Sequence, residues 1–187
     1  NDGTGSFTEV MDTPFEGVFF SSIAFSDVDD DGDSDVMITG DKELFQGITK
    51  LYTNDGMGGF TEMINTPFDS VYKGSIAFSD VDGDGDSDVM ITGDNDSGRI
   101  AKLYTGDGTG SFTEVTGTNF DAVNDSSIAF SDIDGDGDLD VFMGQQKPSY
   151  SSGFIPTPYY DANDGYPFIL MIFIDDFGTK IIQKVNT

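Results

Sequence analysis

The sequence predicts an all-β protein, built of propeller-type repeats of four-stranded antiparallel blades with no substantial helix. Three observations predict it. The string SIAFSD returns at Ser22–Asp27, Ser75–Asp80 and Ser127–Asp132, spaced by 53 and then 52 residues, and a period near 50 marks a repeat architecture. Each unit contains short apolar runs of strand length, bounded by Gly, Asp and Asn. No stretch of ten residues or more carries a helical apolar period with caps.

The first strand of a unit is SIAFSD, in which period-two alternation places Ile76 and Phe78 on one face. An acidic loop follows, then DVMITG at 88–93, AKLYT at 101–105 and SFTEV at 111–115. The last two strands are joined by TNDGMGGF or TGDGTGSF, rich in residues that tolerate positive φ in tight hairpins. Four strands in about 52 residues is the dimension of a propeller blade; linear solenoid coils, at about 20–30 residues, fit less well.

NDGTGSFTEV at 1–10 repeats NDGMGGFTEM at 54–63 and GDGTGSFTEV at 106–115, so the chain begins inside a repeat. The expected division is the last strand of a preceding blade within 1–21, repeats at 22–74 and 75–126, the start of a third at 127–144, and a divergent segment at 145–187. With three acidic loops and two partial ends, the ring is incomplete. Residues 144–168 hold four of the six prolines and lack the KLYT and FTEV strings, so the last third of the third repeat is read as replaced. FILMIFIDDFGTKIIQKVNT then reads as a strand, a turn at Asp175–Gly178 and a second strand, expected to cap the last blade.

The 187 residues include 35 acidic and 8 basic side chains, for a net charge of −27. Such a surface repels nucleic acid and anionic lipid, and favours cations or polymers bridged by them. The chain has neither cysteine nor histidine. That excludes disulfides, thiolate metal sites, imidazole bases and the triads that use them, and most zinc sites. The longest apolar run, Phe168–Ile174, falls far short of the ~20 residues that span a bilayer. NDGTGSFTEV has no basic n-region or apolar h-region, so any signal peptide is expected outside this chain.

The densest feature is the set of loops DVDDDGDSD (27–35), DVDGDGDSD (80–88) and DIDGDGDLD (132–140), all of the form D-x-D-x-D-G-x-x-D. They hold 16 of the 30 aspartates. Two carboxylates 4 Å apart repel by about 4 kcal/mol at an effective dielectric near 20, so this crowding calls for a cation. The spacing suits calcium: side chains at positions 1, 3 and 5 converge, glycine at 6 allows the turn, position 7 offers its carbonyl and position 9 closes an all-oxygen shell. Position 12 is Ile38, Ile91 or Met143 where an EF-hand needs glutamate. Magnesium, which demands octahedral geometry and keeps its waters, fits less well.

IAFSDVDGDGDSDVMITG resembles the FG-GAP or VCBS-type repeat of bacterial surface proteins and of the integrin α-subunit propeller, over roughly residues 1–144. The resemblance implies blades that carry calcium between their first two strands, about three ions in all. It assigns the ligand roles to Asp27, Asp29, Asp31, Asp33 and Asp35; to Asp80, Asp82, Asp84, Asp86 and Asp88; and to Asp132, Asp134, Asp136, Asp138 and Asp140. Propellers of this family have about seven blades, and residues 145–187 do not match the pattern.

The expected function is that of a secreted or cell-surface structural and adhesive protein in which calcium replaces disulfides as the staple. Its expected partners are calcium, surface proteins or glycans, and copies of itself. In self-assembly, strand GSFTEV of one copy would complete the last blade of the next and give a ring or fibre. A calcium-dependent glycan-binding module, using Tyr150, Tyr159, Tyr160 and Tyr166, is the alternative. No enzyme is expected, since the clustered carboxylates are committed to metal and the five glutamates are scattered singly.

Overall fold

A computed structural model describes residues 3–145 together with the strands at 159–160, 169–174 and 180–185. Among the described residues every regular element is a strand. The first sheet holds β1 (Phe19–Ser26), β2 (Asp35–Asp41), β3 (Gly47–Asn54) and β4 (Phe60–Glu62), in that order and antiparallel throughout. The second repeats it with β5 (Tyr72–Ser79), β6 (Asp88–Asn95), β7 (Gly98–Gly106) and β8 (Phe112–Glu114). The third is shorter, with β9 (Ser126–Ser131), β10 (Asp140–Gln145) and β11 (Tyr159–Tyr160). Strands β12 (Ile169–Ile174) and β13 (Lys180–Val185) pair separately. The turn expected at 175–178 lies outside the described residues.

First strands lie side by side, β1 against β5 and β5 against β9, so the sheets form a propeller-like row that does not close among the described residues. The core is the filling between them. Val28, Met37 and Leu51 of the first repeat meet Ile76, Val89, Ile91 and Tyr104 of the second, with Phe78 packed alongside. On the opposite face of β6, Met90 joins Val123, Val141 and Met143. The middle sheet is therefore buried on both faces, which is why the VMI run of its second strand is continuously apolar.

Three details differ from expectation. First strands begin earlier, at Phe19 and Tyr72, because a β-bulge interrupts their pairing before Ser22 and Ser75. Phe20 and Lys73 sit there at φ 47° and 52°, a left-handed backbone that bulky residues seldom signal. Residues 6–10, expected to form a strand like β4 and β8, form none. Such a strand pairs with the third strand of its own sheet, and no third strand lies beside this segment among the described residues; Phe7 and Val10 are exposed.

The third repeat keeps its third strand, in altered sequence. Tyr160 faces Val141 and Tyr159 faces Phe142, the register in which Tyr52 and Leu51 face Val36 and Met37. Tyr159 and Tyr160 thus take the places of Leu51 and Tyr52; the rest of the segment expected as a replacement, through residue 168, lies outside the described residues.

Candidate metal centres in the aspartate loops

Each loop reverses the chain between the first two strands of a sheet. Glycine at position 6, namely Gly32, Gly85 and Gly137, lies at φ 91°, 98° and 99°, a region closed to most side chains. Position 4 is left-handed as well: Gly83 and Gly135 in two loops, but Asp30 at φ 58° in the first. The loop therefore needs two left-handed residues, and the spacing of carboxylates reports only one of them.

The carboxylates first organise the loop itself. At position 1, one oxygen of Asp27, Asp80 or Asp132 accepts the position-6 amide at 3.0, 3.1 or 3.1 Å. Asp31, Asp84 and Asp136 accept the position-7 amide at 2.9–3.0 Å. Carboxylate oxygens of Asp27, Asp29 and Asp31 then lie within 4.8 Å of one another, as do those of Asp132, Asp134 and Asp136. In the second loop the trio is Asp80, Asp82 and Asp88. So positions 1 and 3 converge in all three loops, position 5 in two, and position 9 in one.

Position 9 has a second role that its spacing does not reveal. Asp35, Asp88 and Asp140 are buried, and each accepts the position-2 amide, of Val28, Val81 or Ile133, at 2.7–3.0 Å. The other oxygen of Asp35 accepts Asn54 N at 2.8 Å, and that of Asp88 accepts Gly106 N at 2.9 Å. Burial pushes both carboxyls above their ordinary value, against the pull of these amides.

Side chains at position 7 lie apart from the trios. A Cβ on Gly56 would strike the Asp33 carboxylate, and one on Gly108 would come within 2.7 Å of Asp86 Oδ1. Asp33 and Asp86 thus sit against the β3–β4 and β7–β8 turns, which leaves the backbone carbonyl as the position-7 donor, as the loop pattern requires.

These donors fit a hard divalent cation. Asp27 Oδ1 and Asp29 Oδ1 are buried and have no hydrogen-bond partner. Burial, then the charge of Asp31, raises the Asp29 carboxyl above its ordinary value. Two such oxygens beside a third carboxylate are costly alone and favourable around a cation, and with only oxygen on offer calcium is the matching ion. Asp27, Asp29, Asp31, Asp80, Asp82, Asp88, Asp132, Asp134 and Asp136 are the residues that would hold it.

Residues outside the loops fix the sheets that carry them. Lys50 on β3 bonds Glu16 at 2.7 Å and Glu62 at 2.9 Å; Lys102 on β7 bonds Asp69 at 2.6 Å and Glu114 at 3.0 Å. This accounts for the recurrent glutamate of the FTE string. Phe15 and Phe68, from the TPF copies at 13–15 and 66–68, meet Tyr52 and Tyr104 edge-on at 5.1 Å. That repeated TPF is a sequence signal for the connectors which spacing of the loops overlooks. Of the tyrosines expected to stack on sugars, Tyr150 and Tyr166 lie outside the described residues, and Tyr159 and Tyr160 form β11.

No curated protein matches the chain. A family model described as an FG-GAP-like repeat matches it twice, over residues 27–91 and 80–143. Each match starts on the first aspartate of one loop and ends in the strand after the next. Together they span more than half of the sequence, and the chain belongs to the FG-GAP-like repeat family.

Proposed function

We propose that this chain is a calcium-binding structural and adhesive module of a secreted or cell-surface protein, and that it associates with copies of itself. One observation carries the calcium reading: three loops at the same phase of the repeat each gather carboxylate oxygens, and in the first two of those oxygens are buried without partners. Extracellular calcium modules work at about 10⁻⁴–10⁻³ M, a concentration met outside cells, which supports the location. A binding role without catalysis fits the glutamates too, since Glu16, Glu62 and Glu114 are held in ion pairs by lysine.

Self-association is supported by what the first repeat leaves uncovered. Ile23 and Phe25 of β1 are 58% and 59% exposed, and residues 6–10, with a fourth-strand sequence, form no strand. Addition of that segment to β11 would lack one contact, because Pro158 stands where Lys50 and Lys102 precede the matching strand positions. The exposed face of β1 is the stronger docking element.

Melting in calcium and in chelator tests the first part. Chelation is expected to lower Tm by well over 4 °C, the shift that about 1 kcal/mol makes at this size; an unchanged melt rejects calcium as the staple. Sedimentation in calcium tests the second, with a monomer at all concentrations counting against self-association.

A further inference from the structure

We infer that a neutral carbohydrate binds in the groove between the first two sheets, at the end remote from the aspartate loops, against Phe45 and Tyr72. This goes beyond the structural role proposed above and depends on different residues.

The groove, about 490 Å³, opens between the β2–β3 turn and the β6–β7 turn. That volume lies within the range of small-molecule sites, of about 300–1,000 Å³. Its lining includes Gln46, Asn95 and Ser97, whose amides and hydroxyl donate and accept, and Asp96, whose carboxylate accepts, as sugar hydroxyls require. Of the three charges in its lining, Asp96 can accept from hydroxyls, and the other two are already matched, Lys42 by Glu16 at 2.6 Å and Asp69 by Lys102 at 2.6 Å. An ion would gain little from them, whereas a neutral polyol needs no charge partner.

Two aromatic rings lie near this lining, Phe45 next to Gln46 in the chain and Tyr72 two residues from Ser70. Phe45 and Tyr72 meet at 5.8 Å with a tilt of 54°, and Phe45 remains 61% exposed. Burial, then the charges of Asp94, Asp41 and Asp96, raises the Tyr72 phenol above its ordinary value, so it remains a hydrogen-bond donor. An apolar ring face with a polar rim matches the C–H face and hydroxyl edge of a pyranose.

The turn that displays Phe45 is unusual in a way the fold does not need. It is one residue longer than its counterpart at 95–98, which accounts for the repeat spacing of 53 against 52. It closes through Lys42 N to Gln46 O and Gln46 N to Glu43 O, both 3.0 Å, and Phe45 N donates to Asp41 Oδ2 at 3.0 Å. Its central residues, Leu44 and Phe45, are left-handed at φ 46° and 71°. Turns of this kind favour Asn and Gly, and bulky residues there are strained. Neither side chain repays that strain in the core, since Leu44 is 92% exposed. The strain serves display.

The test uses the full chain in calcium buffer with glucose, galactose, mannose, N-acetylglucosamine, lactose and maltose, followed by saturation-transfer NMR and calorimetry. At least one sugar is expected to bind saturably, and Asp96→Ala to weaken it about tenfold with Tm unchanged. Phe45→Gly is expected to weaken binding similarly while raising Tm by about 2–4 °C, because glycine relieves the turn. Absence of saturable binding across the panel overturns the inference. So does a Phe45→Gly chain that melts higher and binds as tightly, or binding that arginine competes away. Because every titration is run in calcium, failure here leaves the chelator melt as an independent measure of the calcium reading.

Discussion

Ile23 and Ile76 occupy the same place in successive repeats, paired with Ile38 and Ile91 in the same register, yet one is 58% exposed and the other 6%. What separates them is the neighbour. Val28, Met37 and Leu51 of the first sheet cover Ile76, and no sheet among the described residues does the same for Ile23. Repeats of this kind hold much of their stability in the interfaces between units, so identical residues carry unequal weight according to position in the array.

The largest expected effect tests that inequality directly. Ile76→Ala should cost about 2–4 kcal/mol in urea unfolding, and Ile23→Ala less than about 1. Equal costs would break the comparison. A second contrast lies within one loop. In chelator, Asp88→Ala should cost about 2 kcal/mol, since it strands the partly buried amides of Val81 and Gly106. Asp86→Ala should be neutral or stabilising, because that carboxylate, raised by burial and then by the charge of Asp84, is also crowded by Asp30 and Asp107. If both cost the same, position 9 has no structural role of its own.

The smallest effect separates the first connector from the second. Glu16 bonds two lysines, Lys42 and Lys50, where its counterpart Asp69 meets Lys102. The hydrogen bonds from Lys42 and then Lys50 lower the Glu16 carboxyl from 4.5 to about 2. A depressed carboxyl stabilises the folded chain fully above pH 4.5, and that contribution fades as pH falls towards about 2. Glu16→Gln should therefore melt slightly lower at neutral pH, by no more than a few degrees for pairs this exposed, with the gap closing between pH 4.5 and about 2. A gap that ignores pH would assign the effect to packing.

Where several rules agreed, the residues spoke for the structure. SIAFSD and DVMITG became paired strands, and D-x-D-x-D-G became loops with converging carboxylates, because alternation, turn chemistry and charge crowding agree there. Phe20, Lys73, Leu44 and Phe45 were illegible because a bulge in the first strands and a tight turn after β2 place a left-handed backbone on side chains that do not prefer it. β11 was hidden for a different reason: Tyr159 and Tyr160 keep the pairing register of LYT while the flanking residues diverge. Spacing named Asp35 and Asp88 as ligands and was silent on the amides they hold, since a carboxylate has more acceptor sites than one bond uses.

The two-handed grip of Asp35 also orders events in time. Its oxygens hold Val28 N behind it and Asn54 N ahead of it, so the first loop cannot reach its final form until the third strand has left the ribosome. Asp88 waits in the same way for Gly106. On a growing chain the first two aspartate loops thus close only about twenty residues after their ninth position is made.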